Sequence, residues 1–317
     1  MSGRLLGRLP RSRYIDSGTN MNPIRTLVLL VGCTAATSCS SANLPESQKL
    51  SPEKIAGIAS HIESQYPKLS QEKRDEVLRT VVRSLDEMVF IEGGSFEMGD
   101  FGWKCDFDPA EVCTWPCGAP EDNLCNITRD SEDGPHRVGL ASYHLAAKKT
   151  TLGDFRPLPV GAWKGTRAQR ATASRRSAVP VRSWEYAARD RGKNILYPTN
   201  DGSLKLGKNF PYDEEMQQIS SRVDAFPPNP LGLYLMSGGA TEYVNDWYSD
   251  SYYAESANQV DPKGPETGEE KVARGTDMVD TPWLAANTVI RRNQALVLDK
   301  HYLTRSFRCA LNTGEMM

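Results

Sequence analysis

Met88-Val89-Phe90-Ile91-Glu92-Gly93-Gly94-Ser95-Phe96-Glu97-Met98-Gly99 is the stretch on which the fold reading turns. Its first four residues form a strand signal, Gly93-Gly94 turns the chain, and Ser95 to Gly99 carries it onward. The texture of the sequence changes at Met88. Downstream the chain has short strand-like runs, many Gly, Pro, Asn and aromatic residues, and few long amphipathic periods. Trp184-Glu185-Tyr186-Ala187-Ala188-Arg189 predicts a helical turn or two. Val272-Ala273-Arg274-Gly275 and Ser306-Phe307-Arg308-Cys309-Ala310 read as strands. There is no internal repeat and no low-complexity tract.

Upstream of Met88 the pattern is helical. Ser51-Pro52-Glu53-Lys54 opens a helix with Ser as N-cap and Pro at its first position. Ile55, Ile58, Ala59 and Ile62 follow at helical spacing, and Tyr66-Pro67 ends the run. Ser70 caps a second helix whose apolar face is Val77, Leu78, Val81, Val82 and Leu85. The pair forms a hairpin, read as a spacer or small packing module, with a partner-binding hairpin as the alternative. Ser40 to about Lys49 reads as a polar tether.

The apolar run Thr26-Leu27-Val28-Leu29-Leu30-Val31-Gly32 behind Arg25 is too short for the roughly 20 residues that span a bilayer. It fits the apolar region of a secretory signal, which needs only about 7–15 residues. Small residues and two cysteines follow, in the manner of a bacterial lipobox. A start at Met21 favours Cys39 as the lipidated residue, and Cys33, the better local match, is the alternative. An ordinary cleaved signal without lipid is the plainer reading. The expected setting is therefore an exported chain, membrane-bound through a lipid anchor and facing the periplasm.

The formal charge of −2 gives no whole-chain reason to expect nucleic-acid binding. No later segment is apolar enough to cross a membrane. Cys105, Cys113, Cys117 and Cys125 are spaced C-x7-C-x3-C-x7-C. In an oxidising compartment they read as two disulfides with three open connectivities, against a zinc site whose paired C-x2-C knuckles are missing. From Arg156 to Ser183 there are seven basic residues and no acidic one, with no periodic apolar face. This basic loop suits an anionic lipid or polysaccharide.

The order of the motifs resembles the formylglycine-generating-enzyme, or sulfatase-modifying-factor, domain family. Met88 to Gly99 looks like its opening strand. Glu132-Asp133-Gly134-Pro135-His136-Arg137-Val138, Trp184 to Arg189, Phe226-Pro227-Pro228-Asn229-Pro230-Leu231-Gly232-Leu233-Tyr234, Glu242-Tyr243-Val244-Asn245-Asp246-Trp247-Tyr248 and Phe307-Arg308-Cys309-Ala310 follow in family order. Each is weak alone. The resemblance implies an α+β fold related to C-type lectins, low in regular secondary structure, here preceded by the helical hairpin. It divides the chain into a signal and lipobox region (1–39), tether and hairpin (40–87), the family domain (88–312) and a tail (313–317). The cysteine-rich stretch looks like an insertion.

Active members of that family oxidise a substrate cysteine with copper(I) held by two cysteines five residues apart. The resemblance puts those positions at Asp280 and Ala285, neither of which offers a thiolate, so copper is not expected. Non-haem iron, as in sulfoxide-synthase relatives, needs a histidine cluster, and His61, His136, His144 and His301 show no H-x3-H pattern. Structural calcium is the remaining expectation. Glu242 matches one site, weakened because Gly239 and Leu235 replace oxygen-bearing side chains, and Asn209 resembles a ligand of another. The Asn126-Ile127-Thr128 sequon is taken as chance.

The family also carries, between Phe155 and Trp184, a helix whose cysteine pairs with the residue matched by Cys309. This chain lacks it. Two compensating frameshifts over residues 156–183 would account for the basic segment and would leave Cys309 without its partner. The resulting expectation is a diverged family domain without copper-cysteine chemistry. It either binds a periplasmic protein or small molecule, through a groove lined by Trp247, Tyr248, Tyr252 and Tyr253, or performs a different oxidation, or serves as a structural envelope protein.

Overall fold

A computed structural model describes residues 44–128, 134–151, 154, 178–211, 222–276, 285–295 and 305–316. The two N-terminal helices form as the periodicity requires: α1 (Pro52–Gln65) and α2 (Gln71–Asp86), capped by the Ser51 and Ser70 side chains. Leu50, Ile55, Ile62, Val77, Leu78 and Val82 make a separate small core between them. Burying each such side chain is worth roughly 1.5–3 kcal/mol.

The tether reading needs correction at its end. Ser47 Oγ donates to Asp86 Oδ1, the Lys49 amide does so at 3.2 Å, and Lys49 Nζ donates to the Met88 carbonyl. Residues 47–50 are thus clasped to the far end of α2 rather than free. The Ala147 amide bonds the Glu87 carbonyl at 3.2 Å, and Arg83 pairs with Asp154 at 3.2 Å. Hydrogen bonds and an ion pair therefore join the hairpin to the domain, in addition to the continuous chain.

Among the described residues three small sheets follow. β1 (Met88–Ile91), β4 (Tyr143–Ala146) and β9 (Ala310–Asn312) form one, with β4 central. β2 (Gly94–Met98) pairs antiparallel with β3 (His136–Leu140), setting Phe96 opposite Val138 on the inward face. The third sheet has the order β7 (Arg291–Ala295), β6 (Glu270–Arg274), β5 (Thr241–Trp247), β8 (Arg305–Ser306). Among the described residues there are two further short α-helices, α4 (Tyr252–Glu255) and α5 (Thr313–Met316); α5 occupies the predicted tail. The α+β class and the sparse regular structure match expectation.

Every residue of α3 (Val181–Ala188) is buried. It packs on the inward faces of the sheets through Val181, Trp184, Ala187 and Ala188, with Ile91, Phe96, Leu145 and Val272 among its neighbours in the main core. Helix α3 starts three residues before the predicted Trp184. The Asp246 carboxylate accepts from the first helical amide, Val181, at 2.7 Å, which supplies the N-terminal acceptor that Pro180 lacks. The turn after α3 needs Gly192: its φ is +79°, and a Cβ there would lie 2.3 Å from the Phe96 Cβ.

The segment predicted as one strand from Ser306 to Ala310 is two. Residues 305–306 pair parallel with β5, whereas 310–312 pair with β4 in another sheet. The chain changes sheets between them, and Arg308 fills the corner. The frameshift reading is also trimmed. Residues 155–177 lie outside the described residues, but Ala178 bridges Cys309 and Val179 is fully buried, so ordered packing resumes before Ser183. Arg182, counted among the basic residues, is buried and donates to the Pro262 carbonyl.

The four loop cysteines form Cys105–Cys125 and Cys113–Cys117, which settles the connectivity and removes the zinc alternative. The stapled loop is more than a flap. Trp103 and the half-buried Phe101, Phe107 and Trp115 pack with Leu196, Tyr197, Leu204 and Phe210 as a third core. Cys309 is a free, half-buried thiol, as expected for a residue without its partner, and burial pushes it up.

Candidate functional site

The predicted motifs converge on a buried polar network. From α3, Glu185 holds Arg189 at 2.9 Å through one oxygen and Arg274 of β6 at 2.8 Å through the other. The Gly99 amide also donates to Glu185, at 2.8 Å. The Arg274 guanidinium lies 4.8 Å from the Trp184 ring centroid. The Trp184 indole N–H then donates to Glu242 Oε2 at 3.0 Å. Glu242 of β5 accepts from Arg308 Nε at 3.0 and 3.1 Å, and Lys149 Nζ stands 3.4 Å from its Oε1.

Two carboxylates thus meet four cations, all of them buried. Backbone carbonyls take up further donors of the cations. Arg308 reaches Ala147 at 2.7 Å and Tyr234, Arg274 reaches Val289 at 2.8 Å, and Arg189 reaches Glu97 and Lys193 at 2.8 Å. Burial holds the Arg189 and Arg308 guanidiniums below their usual range, with the carboxylates opposing that shift. Such a network fixes geometry; nothing in it is a nucleophile poised beside a base.

Ala285 is buried, and Asp280 lies outside the described residues. A methyl group and a carboxylate side chain cannot form a copper(I)-binding dithiolate. The described histidines are dispersed. His61 is exposed on α1; His144 packs against Phe90 with centroids 5.3 Å apart and ring planes tilted by 57°; His136 lies 3.2 Å from the Ser256 hydroxyl. His301 lies outside the described residues. Among the described residues no three His, Cys, Asp or Glu side chains cluster as a metal site.

The resemblance implies calcium at Glu242. Its carboxylate is neutralised by Arg308 and Lys149, a donor set that does not fit a divalent ion. Asn209 sits elsewhere, in a buried knot in which its amide donates to the Ser203 carbonyl at 3.1 Å, Asp201 at 3.2 Å and Asn200 at 3.3 Å, while Oδ1 accepts from the Lys205 amide at 2.7 Å. Asp201 also carries the Lys205 ammonium at 2.7 Å, so the oxygens are present but already engaged.

Of the four aromatics, Tyr253 is buried and Trp247, Tyr248 and Tyr252 are half-buried. Tyr253 is buried in the main core, with the Arg291 guanidinium 4.2 Å from its ring and 4.9 Å from that of Tyr248. Tyr252 accepts from the Gly264 amide at 3.0 Å. Trp247 is half-buried under Lys271, whose Nζ is 4.0 Å from the ring centroid. Packing accounts for Tyr248 and Tyr253.

Sequence reading missed Asp246. It is buried, its Oδ1 has no hydrogen-bond partner, and burial raises its carboxyl to about 6 against the N–H of Val181 and the charges of Arg182 and Lys271. It also missed Lys149, Arg274 and Arg189 as interior charges. The available signal was a charged residue inside an otherwise apolar motif.

The sulfatase-modifying factor enzyme 1-like domain matches residues 179–312. A serine/threonine-protein kinase pkn1 of Chlamydia pneumoniae is 28% identical over 257 residues, covering 72% of this chain and 38% of that protein. The formylglycine-generating enzyme of Streptomyces coelicolor is 33% identical over 124 residues, covering 36% of this chain and 39% of the enzyme. The chain thus spans about two fifths of the length of these curated relatives. The structure of PvdO from Pseudomonas aeruginosa superposes with a TM-score of 0.48 at 20% identity, over 71% of this chain and 94% of that one. Residues 179–312 thus carry, in diverged form, a sulfatase-modifying factor enzyme 1-like domain.

Proposed function

We propose that this chain is an exported, lipid-anchored envelope protein whose family domain serves as a binding scaffold and does not make formylglycine by copper-cysteine chemistry. The observation that carries the reading is the pairing of a retained scaffold with absent thiolates. The Glu185 and Glu242 networks are complete, while Ala285 and Asp280 stand where the resemblance implies the copper ligands. The two disulfides support an oxidising compartment. Anchoring rests on the lipobox-like cysteines, with Cys39 favoured over Cys33. The ligand is a periplasmic protein or small molecule.

The test has two arms. Metabolic labelling with a fatty acid should mark the wild-type chain and fail on Cys39→Ser; labelling retained there and lost on Cys33→Ser moves the anchor, and no labelling at all ends the anchoring claim. Purified protein supplied with copper(I), oxygen and a cysteine peptide should leave the peptide unoxidised. Turnover in that assay would overturn the scaffold reading.

A further inference from the structure

We infer that the Lys149 ammonium is a tethered substitute for a metal cation, occupying an oxygen cage made by the Gly238–Ala240 turn and Glu242. Lys149 Nζ donates to the Gly238 carbonyl at 3.0 Å and to the Ala240 carbonyl, and lies 3.4 Å from Glu242 Oε1. The side chain is 3% exposed and Glu242 is fully buried. Three oxygens, one of them anionic, are what a hard cation seeks. They also match the three N–H donors of an ammonium.

The turn is shaped for the purpose. Gly238 and Gly239 have φ of +92° and +75°, and the Gly238 amide bonds the Thr276 carbonyl at 3.0 Å while its own carbonyl faces Lys149. A Cβ on Gly238 would lie 2.7 Å from the Pro211 ring, so the left-handed turn has no room for a side chain. Gly239 and Leu235 contribute no side-chain oxygen, so a calcium ion in this cage would need waters to reach its six to eight ligands and would be held weakly. The Ser237 hydroxyl, in the same turn, is buried without a hydrogen-bond partner. Charge points the same way. With Arg308 already on both oxygens of Glu242, a divalent ion added beside Lys149 would gather repulsive charge around one carboxylate.

This inference stands apart from the scaffold reading, because it concerns what fills the core and not what the surface binds. Its consequence is that removing the ammonium should create a metal site. The experiment compares the full chain carrying Asn209→Ala, to silence the other oxygen-rich knot, with the same chain carrying Lys149→Ala in addition. Thermal melts and calcium titration calorimetry are run in EDTA and in millimolar calcium.

The Lys149-containing chain should melt at the same temperature in both conditions and bind no calcium. The Lys149→Ala chain should melt lower in EDTA, recover part of the loss in calcium, and bind calcium with a dissociation constant on the order of 10⁻⁴–10⁻³ M, as extracellular calcium modules do. A calcium response in the Lys149-containing chain, or in the wild-type chain run beside it, would overturn the proposal, and the wild-type arm does not depend on any variant folding. A folded Lys149→Ala chain that ignores calcium would overturn it as well. Lys149→Gln, neutral but still a donor, should melt below the wild type; equal stability would show that charge plays no part and would overturn the assignment.

Discussion

The hairpin and the domain it precedes are stabilised in opposite ways. Between α1 and α2 the core is wholly apolar, built from Leu50, Ile55, Ile62, Val77, Leu78 and Val82. At the centre of the domain two carboxylates and four cations share the interior with Trp184. An apolar core tolerates exchange of one hydrocarbon for another of similar volume, whereas a buried ionic network fails when a single member is removed. On the reading proposed above, the contrast explains how a domain can lack the thiolates that the resemblance implies and keep its fold: the residues that hold it are not those that the chemistry would require.

The strongest way to break this comparison is Glu185→Ala. It strands Arg189 and Arg274 in the interior, with an expected loss of about 3–5 kcal/mol by chemical denaturation. The matched change in the hairpin, Val82→Ala, removes only apolar volume and should cost less. An equal or larger loss at Val82 would dissolve the distinction.

The stapled loop offers a second contrast, now within one region. Cys105–Cys125 closes 20 residues of sequence separation and Cys113–Cys117 only 4. Loop-closure entropy puts the cost of replacing the first pair by serines at about 3 kcal/mol and the second at about 2 kcal/mol. Melting of the two double-serine variants should rank them in that order.

Asp246 sharpens the comparison through pH. Its folded carboxyl is raised from 3.8 to about 6, so the folded chain holds that proton where the unfolded chain has released it. Its contribution to stability therefore falls as pH rises from about 4 to about 6, and is level above that window. Asp246→Asn should remove this part of the slope and be no less stable than wild type at pH 7. A difference between the two melting profiles that does not change across the window would contradict the assignment. The smallest effect belongs to the hairpin caps: Ser70→Ala should cost about 1 kcal/mol, read by the same melts.

Much of the fold was legible because it rests on local signals. Ser51, Pro52 and Ser70 mark helix starts in any context, and the spacing of Ile55, Ile58 and Ile62 declares its own buried face. The site was less legible for an equally physical reason. Arg308 meets Glu242 across 66 positions, Trp184 meets it across 58, and Arg274 meets Glu185 across 89. A lone Arg in a sequence reads as solvated until its partner is known. The break between Phe307 and Cys309 was hidden likewise, since nothing local says that neighbouring residues pair with different sheets. Resemblance supplied the positions of Asp280 and Ala285, but not the cation partners of Glu242.

The clasp at residues 47–50 has a mechanical consequence. Ser47, Gln48 and Lys49 are bonded to Asp86, and Lys49 also reaches Met88 at the start of β1. A pull applied at Leu44 is thereby transmitted straight to the root of β1, and the whole length of chain from Leu50 to Leu85 hangs as a slack loop beside the line of tension. The hairpin carries load only once the clasp parts, and its helices then lie in series between Leu44 and β1.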